Sequence, residues 1–163
     1  GNIAKGLEML LRSNLFFSTE AYRQKVRSPV ELALGIIRPL EGRTGTLHLA
    51  ADLAKLGQDL YEPPTIQGWA GGLAWINSLT LLGRAKLAEA LLAESGAYEG
   101  KLDPAAVVSR HGPQAKDGGK QLLIDLWLQG DLAPESLDAM AASSFDARHV
   151  AARLASLPEF QLA

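Results

Sequence analysis

Apolar residues recur along this chain at helical spacing, and the two-residue alternation of a half-buried strand does not appear. Ile3, Leu7, Leu10 and Leu11 predict a first helix over 3–12. A short connection through Asn14-Leu15-Phe16-Phe17 follows, and Ser18 is placed to cap a helix running to about Val26. Ser28-Pro29-Val30-Glu31 is the clearest local signal. Ser28 can accept from a first-turn amide, and Pro29 sits where a missing N–H costs nothing. Glu31 can reach back to the Ser28 amide, which completes a capping box. The helix so opened puts Val30, Ala33, Leu34, Ile37 and Leu40 on one face, and Pro39 marks its end. After the Gly42–Gly45 turn, Leu49, Ala50, Leu53 and Leu56 form the next face, which stops at Gly57.

From Tyr61 to Gly72 the helical pattern vanishes, because two prolines and three glycines forbid regular structure there. A long helix is expected from about Ala74 to Glu94, with Ile76, Leu79, Gly83, Leu87 and Leu91 as its stripe. Its first half is apolar nearly all round, which predicts a central buried helix, and Gly83 could admit a close neighbour. Asp103-Pro104 opens a short helix, and Arg110 to Gly119 reads as a polar loop. Lys120 to Gln129 is a second strongly apolar helix. Pro134 opens another, to about Ala142, and the last begins near Phe145 with Ala147, Val150, Ala151, Leu154 and Leu157 on one face. No fixed-period repeat and no composition break divides the chain. The fold class is therefore all-α: one domain over 1–163, an irregular bundle of about seven to nine helices with one long Gly/Pro/Trp loop.

Composition narrows the chemistry. With 163 residues the chain is long enough for a real core, and 47% apolar and 21% charged residues are ordinary for a globular domain. A formal net charge of −2 gives no general pull toward nucleic acid or anionic membrane. No cysteine is present, which excludes disulfides, thiolate catalysis and zinc-thiolate sites. No apolar run approaches the roughly 20 residues of a membrane span. Gly1-Asn2-Ile3, without an initiator Met, reads as the start of an excised piece, with Gly1 left by a cleaved tag.

No constellation in the chain completes an active site. His48, His111 and His149 lie in no metal-ligand pattern, so no metal and no cofactor is expected. Asp146 and His149 can share a helix face as a solvated pair; His111 has no identifiable partner, and His48, near a helix start, reads as a surface or partly packed residue. Gly118-Gly119-Lys120 lacks phosphate-loop spacing and reads as an ordinary loop-to-helix junction. Asp125 stands inside an apolar helix, where it meets Arg38 or Arg84, caps a neighbour or faces water; the structural role is favoured. The sharpest feature is the aromatic loop. Tyr61, Trp69 and Trp75 flank Pro63-Pro64 and Gly71-Gly72 and are the candidate binding residues, since aromatic faces on a rigid loop stack on sugars, prolines or bases. The competing role, anchoring the loop to the core through Trp69, is favoured.

Several stretches together resemble one bacterial family. They are Asn14-Leu15-Phe16-Phe17-Ser18, then Tyr22 through Glu31, then Gly57-Gln58-Asp59-Leu60-Tyr61-Glu62-Pro63-Pro64. Gly68-Trp69, Gly71-Gly72 and Trp75-Ile76-Asn77-Ser78 follow in order, and Ser156-Leu157-Pro158-Glu159-Phe160-Gln161 closes the set. Their order and combination resemble the C-terminal region of Domain of Unknown Function 1800. Two departures stand out: Trp69-Ala70-Gly71-Gly72 replaces the family's usual Trp-Pro-Gly-Gly, and Leu157 intervenes before Pro158.

The resemblance implies the C-terminal third of a longer protein that is often exported, hence periplasmic or extracellular. It implies no reaction and no catalytic residues. The expected function is a binding or scaffold module of an exported bacterial protein. The alternative is part of an enzyme, a hydrolase for instance, whose site an upstream region completes. The expected partners are that upstream part, another exported protein or a polysaccharide, with no nucleic acid and no membrane span.

Overall fold

The computed structural model describes residues 1–112, 117, 119–141 and 146–163, without the side chains of 139 and 141. The described residues form α-helices in the order α1 (Ile3–Leu11), α2 (Pro29–Ile37), α3 (Thr46–Lys55), α4 (Ser78–Leu92), α5 (Pro104–His111), α6 (Lys120–Leu128), α7 (Pro134–Ala141), α8 (Ala147–Ser156) and α9 (Pro158–Gln161). Strand-like pairing among them is confined to two isolated bridges, Val26 with Leu162 and Thr65 with Gly68. The fold is all-α, as the apolar periodicity requires.

The capping box at α2 forms in full. The Glu31 amide donates to Ser28 Oγ at 3.3 Å, and the Ser28 amide donates to Glu31 Oε2 at 2.8 Å. Lys25 pairs with the same carboxylate. Partial burial works against that charge, but the bonds from Lys25 and Ser28 outweigh it and hold Glu31 below its ordinary range. A carboxylate lowered in the folded state stabilises above its unfolded value and loses that contribution as pH falls through the folded one. Ser28→Ala should therefore cost about 1 kcal/mol at neutral pH. Urea unfolding of the two proteins measures this, and an unchanged midpoint would contradict the cap's role.

Three helical expectations are corrected. The buried face of α2 is Leu32, Ala33, Ile36, Ile37 and the following Leu40, while Val30 and Leu34 are only partly covered. This helix is apolar on nearly every side, so periodicity chose its face poorly and packing against α4 decides it. Ser18 caps no helix. Its hydroxyl donates to the Leu15 carbonyl at 2.9 Å, and its own carbonyl accepts from Ala21 and Tyr22 to close one turn. Arg23 at φ 51° then reverses the chain, leaving 12–28 without a helix.

The long central helix is also shorter and less buried than expected. Gly72–Trp75 is a separate 3-10 turn. Asn77 then starts α4, accepting from the Leu79 and Thr80 amides, while Thr80 Oγ1 accepts from the Asn77 amide at 2.8 Å. Leu87, Ala88, Leu91 and Leu92 reach the core, but Leu79 is 78% exposed and Leu81 and Leu82 are exposed with it. Gly83 meets its expectation: a Cβ there would come 2.7 Å from Leu56 Cδ2, so α3's end approaches closely.

The core joins α2 and α3 to α4, α5, α6 and α8, with α4 and α8 the most extensively packed pair. Tyr98 is fully buried, and its hydroxyl donates to Asp52 Oδ2 at 2.6 Å; burial and that carboxylate push its ionisation up. Arg148 Nη1 donates to the Leu92 and Leu102 carbonyls at 2.8 and 2.9 Å, satisfying an orphan acceptor at the end of α4. Residues 113–116 and 118 of the expected Arg110–Gly119 loop, and Phe145 at the expected start of the last helix, lie outside the described residues.

Candidate functional site

The aromatic loop separates its three rings. Thr65 and Gly68 close a tight turn: the Gly68 amide donates to the Thr65 carbonyl at 3.0 Å, and the Thr65 hydroxyl donates to the Gly68 carbonyl at 3.1 Å. Tyr61 stands at φ 69° with its side chain 96% exposed. Trp69 is half-buried. Trp75 is the buried indole, 8% exposed, with its ring against Gly57 at the end of α3. Trp69 is therefore not the main anchor, and the correction has a simple cause. Trp75 lies in the 3-10 turn that delivers the chain into α4, close enough to the helical frame to be enclosed, whereas Trp69 follows the outlying Thr65–Gly68 turn.

Apolar side chains continue outward from this loop. Ile66 and Leu73 are exposed, as are Leu79, Leu81 and Leu82 at the start of α4. At the other end of the sequence, α1 buries none of its residues. Ile3 (80% exposed), Leu7, Met9, Leu10 and Leu11 all face solvent. Exposed large apolar groups at this density mark surfaces that meet another molecule.

An open cleft of about 710 Å³ runs between α4 and α8, with Ala85, Glu89 and Leu92 on one side and Asp146, His149 and Arg153 on the other. His149 Nδ1 lies 3.3 Å from Asp146 Oδ2, the expected surface pair. Ser156 also lines the cleft, but its hydroxyl donates to the Ala152 carbonyl at 2.9 Å. Among the described residues no three His, Asp or Glu side chains are grouped to hold a metal ion, and no helix is long and apolar enough to cross a membrane.

The remaining candidates resolve into structural contacts. His111 does have a partner: its Nε2 lies 3.1 Å from Glu41 Oε1, and Arg110 Nη1 sits 2.7 Å from the other oxygen of that carboxylate. Together they tie the end of α5 to the segment after α2. Sequence spacing could not show this pair, since 70 positions separate its members. His48 is exposed. Asp125 is exposed too and accepts from Gln121 Nε2 at 2.7 Å, so it meets neither Arg38 nor Arg84. The start of α6 is closed by Asp117, whose carboxylate accepts from the Gly119 and Gln121 amides.

The residues that sequence reasoning missed sit where the chain's end closes on α2. Phe160 and Gln161 of α9 are buried. The Arg27 amide donates to the Gln161 carbonyl at 2.9 Å, and Val26 bridges to Leu162. Arg84 of α4, only 1% exposed, joins the two segments of this clasp: its Nε donates to Gln161 Oε1 at 2.6 Å and its Nη2 to the Arg27 carbonyl at 2.7 Å. Among the described residues no carboxylate accompanies it, and its Nη1 is buried without a partner. Burial, with the neighbouring charge of Arg27, lowers its ionisation to about 10, which leaves it charged at neutral pH. The signal was the closing Pro158-Glu159-Phe160-Gln161, noted in the sequence only for its family resemblance, which folds as a clasp.

No curated protein and no solved structure matches the chain. The family resemblance carried by its motifs is confirmed over nearly its whole length, residues 1–162, and the chain belongs to the family described as Protein of unknown function (DUF1800).

Proposed function

We propose that this chain is a binding module of an exported bacterial protein, and that it works by presenting apolar helical surface to the upstream part of its own polypeptide. The observation that carries the reading is α1. A helix of nine residues that buries none of them is too short to be stable alone in water, where about 12–15 residues are marginal. Its stability must come from a surface it docks on, and helix-in-groove recognition uses this kind of apolar face. Lys5, Glu8 and Arg12 give α1 mixed charge, and Arg12 pairs with Glu8 at 3.1 Å, so the helix lacks the basic face that favours an anionic membrane. Leu79 and Leu82 extend the exposed surface at a second place.

The test pairs Leu7→Glu/Leu10→Glu with Leu79→Glu/Leu82→Glu, against the upstream part produced as a separate protein. Each exposed pair should leave the chain's own melt within about 0.5 kcal/mol of the parent. Binding should weaken by about 100-fold in the α1 pair, since two buried apolar anchors are replaced by charges. Unchanged binding in both pairs would contradict the reading. The enzyme alternative draws on the α4–α8 cleft, where Asp146, His149 and Arg153 meet. Turnover by the whole polypeptide that His149→Ala abolishes would favour it.

A further inference from the structure

The groove beside α2 is lined by Arg27, Glu31, Leu34, Gly35, Arg38, Pro39 and Ala163 and encloses about 410 Å³. Its distinguishing feature is the state of its two guanidinium groups. Arg27 Cζ lies over the Phe160 ring, 4.4 Å from the centroid, a cation–π contact that restrains the guanidinium. Gly35 makes room for that stack: a Cβ there would stand 3.0 Å from Arg27 Nη1 and 3.3 Å from Phe160 Cζ. The side chain is half-buried, so its donors are partly withdrawn from water, yet neither Arg27 nor Arg38 makes a side-chain hydrogen bond or ion pair among the described residues. The acidic side chain of the groove, Glu31, favours the Arg27 charge from a distance but is bonded to Lys25 and the Ser28 amide.

We infer that this groove binds an oxyanion, a carboxylate or phosphate group, between Arg27 and Arg38. An arginine fork restrained by a ring and left without acceptors matches two oxygens of such a group in bidentate fashion. Local charge favours it as well. Arg27 and Arg38 line the groove against a single acidic side chain, Glu31, which Lys25 already pairs, and Arg84, buried behind Arg27 without an acid, adds its own positive charge. Leu34 and Pro39 supply an apolar wall for whatever carries the oxyanion. Part of the desolvation cost of Arg27 would be repaid on binding. The inference is independent of the docking surface proposed above, since it uses neither α1 nor the start of α4.

The experiment is an NMR titration of the intact chain with sodium phosphate and, separately, sodium acetate, each at constant ionic strength set with chloride. The Arg27 Nε–H signal and the Gly35 amide should shift saturably with at least one of the two anions. Phosphate alone would assign a phosphate ligand, acetate alone a carboxylate, and both a general oxyanion site. Arg27→Gln should weaken the binding by about tenfold or more, as loss of a charge-assisted pair of hydrogen bonds does. Arg38→Gln, at an exposed position that does not threaten the fold, should weaken it less, and Arg43→Gln not at all. Shifts that grow linearly without saturating, or equal loss in Arg43→Gln and Arg38→Gln, would overturn the inference.

Discussion

Arg84→Ala should destabilise the chain by about 4 kcal/mol, the largest loss expected from any single substitution considered for this fold. Three contributions add. Truncation leaves a cavity beneath the clasp, where Arg84 is among the largest fully buried side chains. Gln161 Oε1 loses its donor, and so does the Arg27 carbonyl, and a buried acceptor left unmade costs more than the bond was worth. Arg84→Lys should recover only part of the loss, because one ammonium cannot span both acceptors as the guanidinium fork does. Arg84→Met tests the electrostatic side: it keeps the stem and removes an uncompensated buried charge, so its cost should fall below that of alanine. Urea unfolding of the three variants measures the order. A loss under about 1 kcal/mol for Arg84→Ala would mean that the clasp contributes little to stability.

The second large effect is at Trp75. Removing a buried indole typically costs about 3–5 kcal/mol, and Trp75→Ala should lie near the lower end because the ring sits at the edge of the core. Trp69→Ala should cost about 1 kcal/mol, in keeping with its half exposure. Fluorescence separates the two independently of stability. Of the chain's three tryptophans, Trp75 and Trp127 are buried, so iodide should reach mainly Trp69. Trp69→Phe should remove most of the quenchable emission. If instead Trp69→Ala unfolds the domain and Trp75→Ala does not, Trp69 is the anchor and Trp75 is not.

What could be read from the sequence followed the range of the interactions involved. The Ser28 capping box was legible in full because all its partners lie within four positions. Helix class and most boundaries were legible for the same reason, since caps such as Asp103 and Asp146 act on the next few amides. Burial was less legible. The first half of α4 carries Leu79, Leu81 and Leu82, and hydrophobicity alone cannot say whether their partner lies within this chain. The helix expected after Ser18 failed on turn chemistry, where a hydroxyl bonded backward to Leu15 and a left-handed Arg23 override the spacing.

The candidate site was legible only as a region. The loop was found, but its indoles took unequal roles, because a Trp next to a helix start is more readily enclosed than one beyond an outlying turn. Arg84 was offered as a partner for Asp125, and its actual acceptors could not be read: they lie 57 and 77 positions away, and one of them is a backbone carbonyl.

The central claim, that α1 is docking surface for the rest of the polypeptide, is tested most directly by amide hydrogen exchange in this chain alone and in the full-length polypeptide. Alone, the amides of Leu7 through Leu11 should exchange almost freely, since the helix buries nothing, while those of α4 beyond Arg84 should be protected by the core. In the full-length polypeptide the α1 amides should slow by about 100-fold, as docking an otherwise marginal helix requires. Equal exchange of the α1 amides in the two proteins would contradict the account.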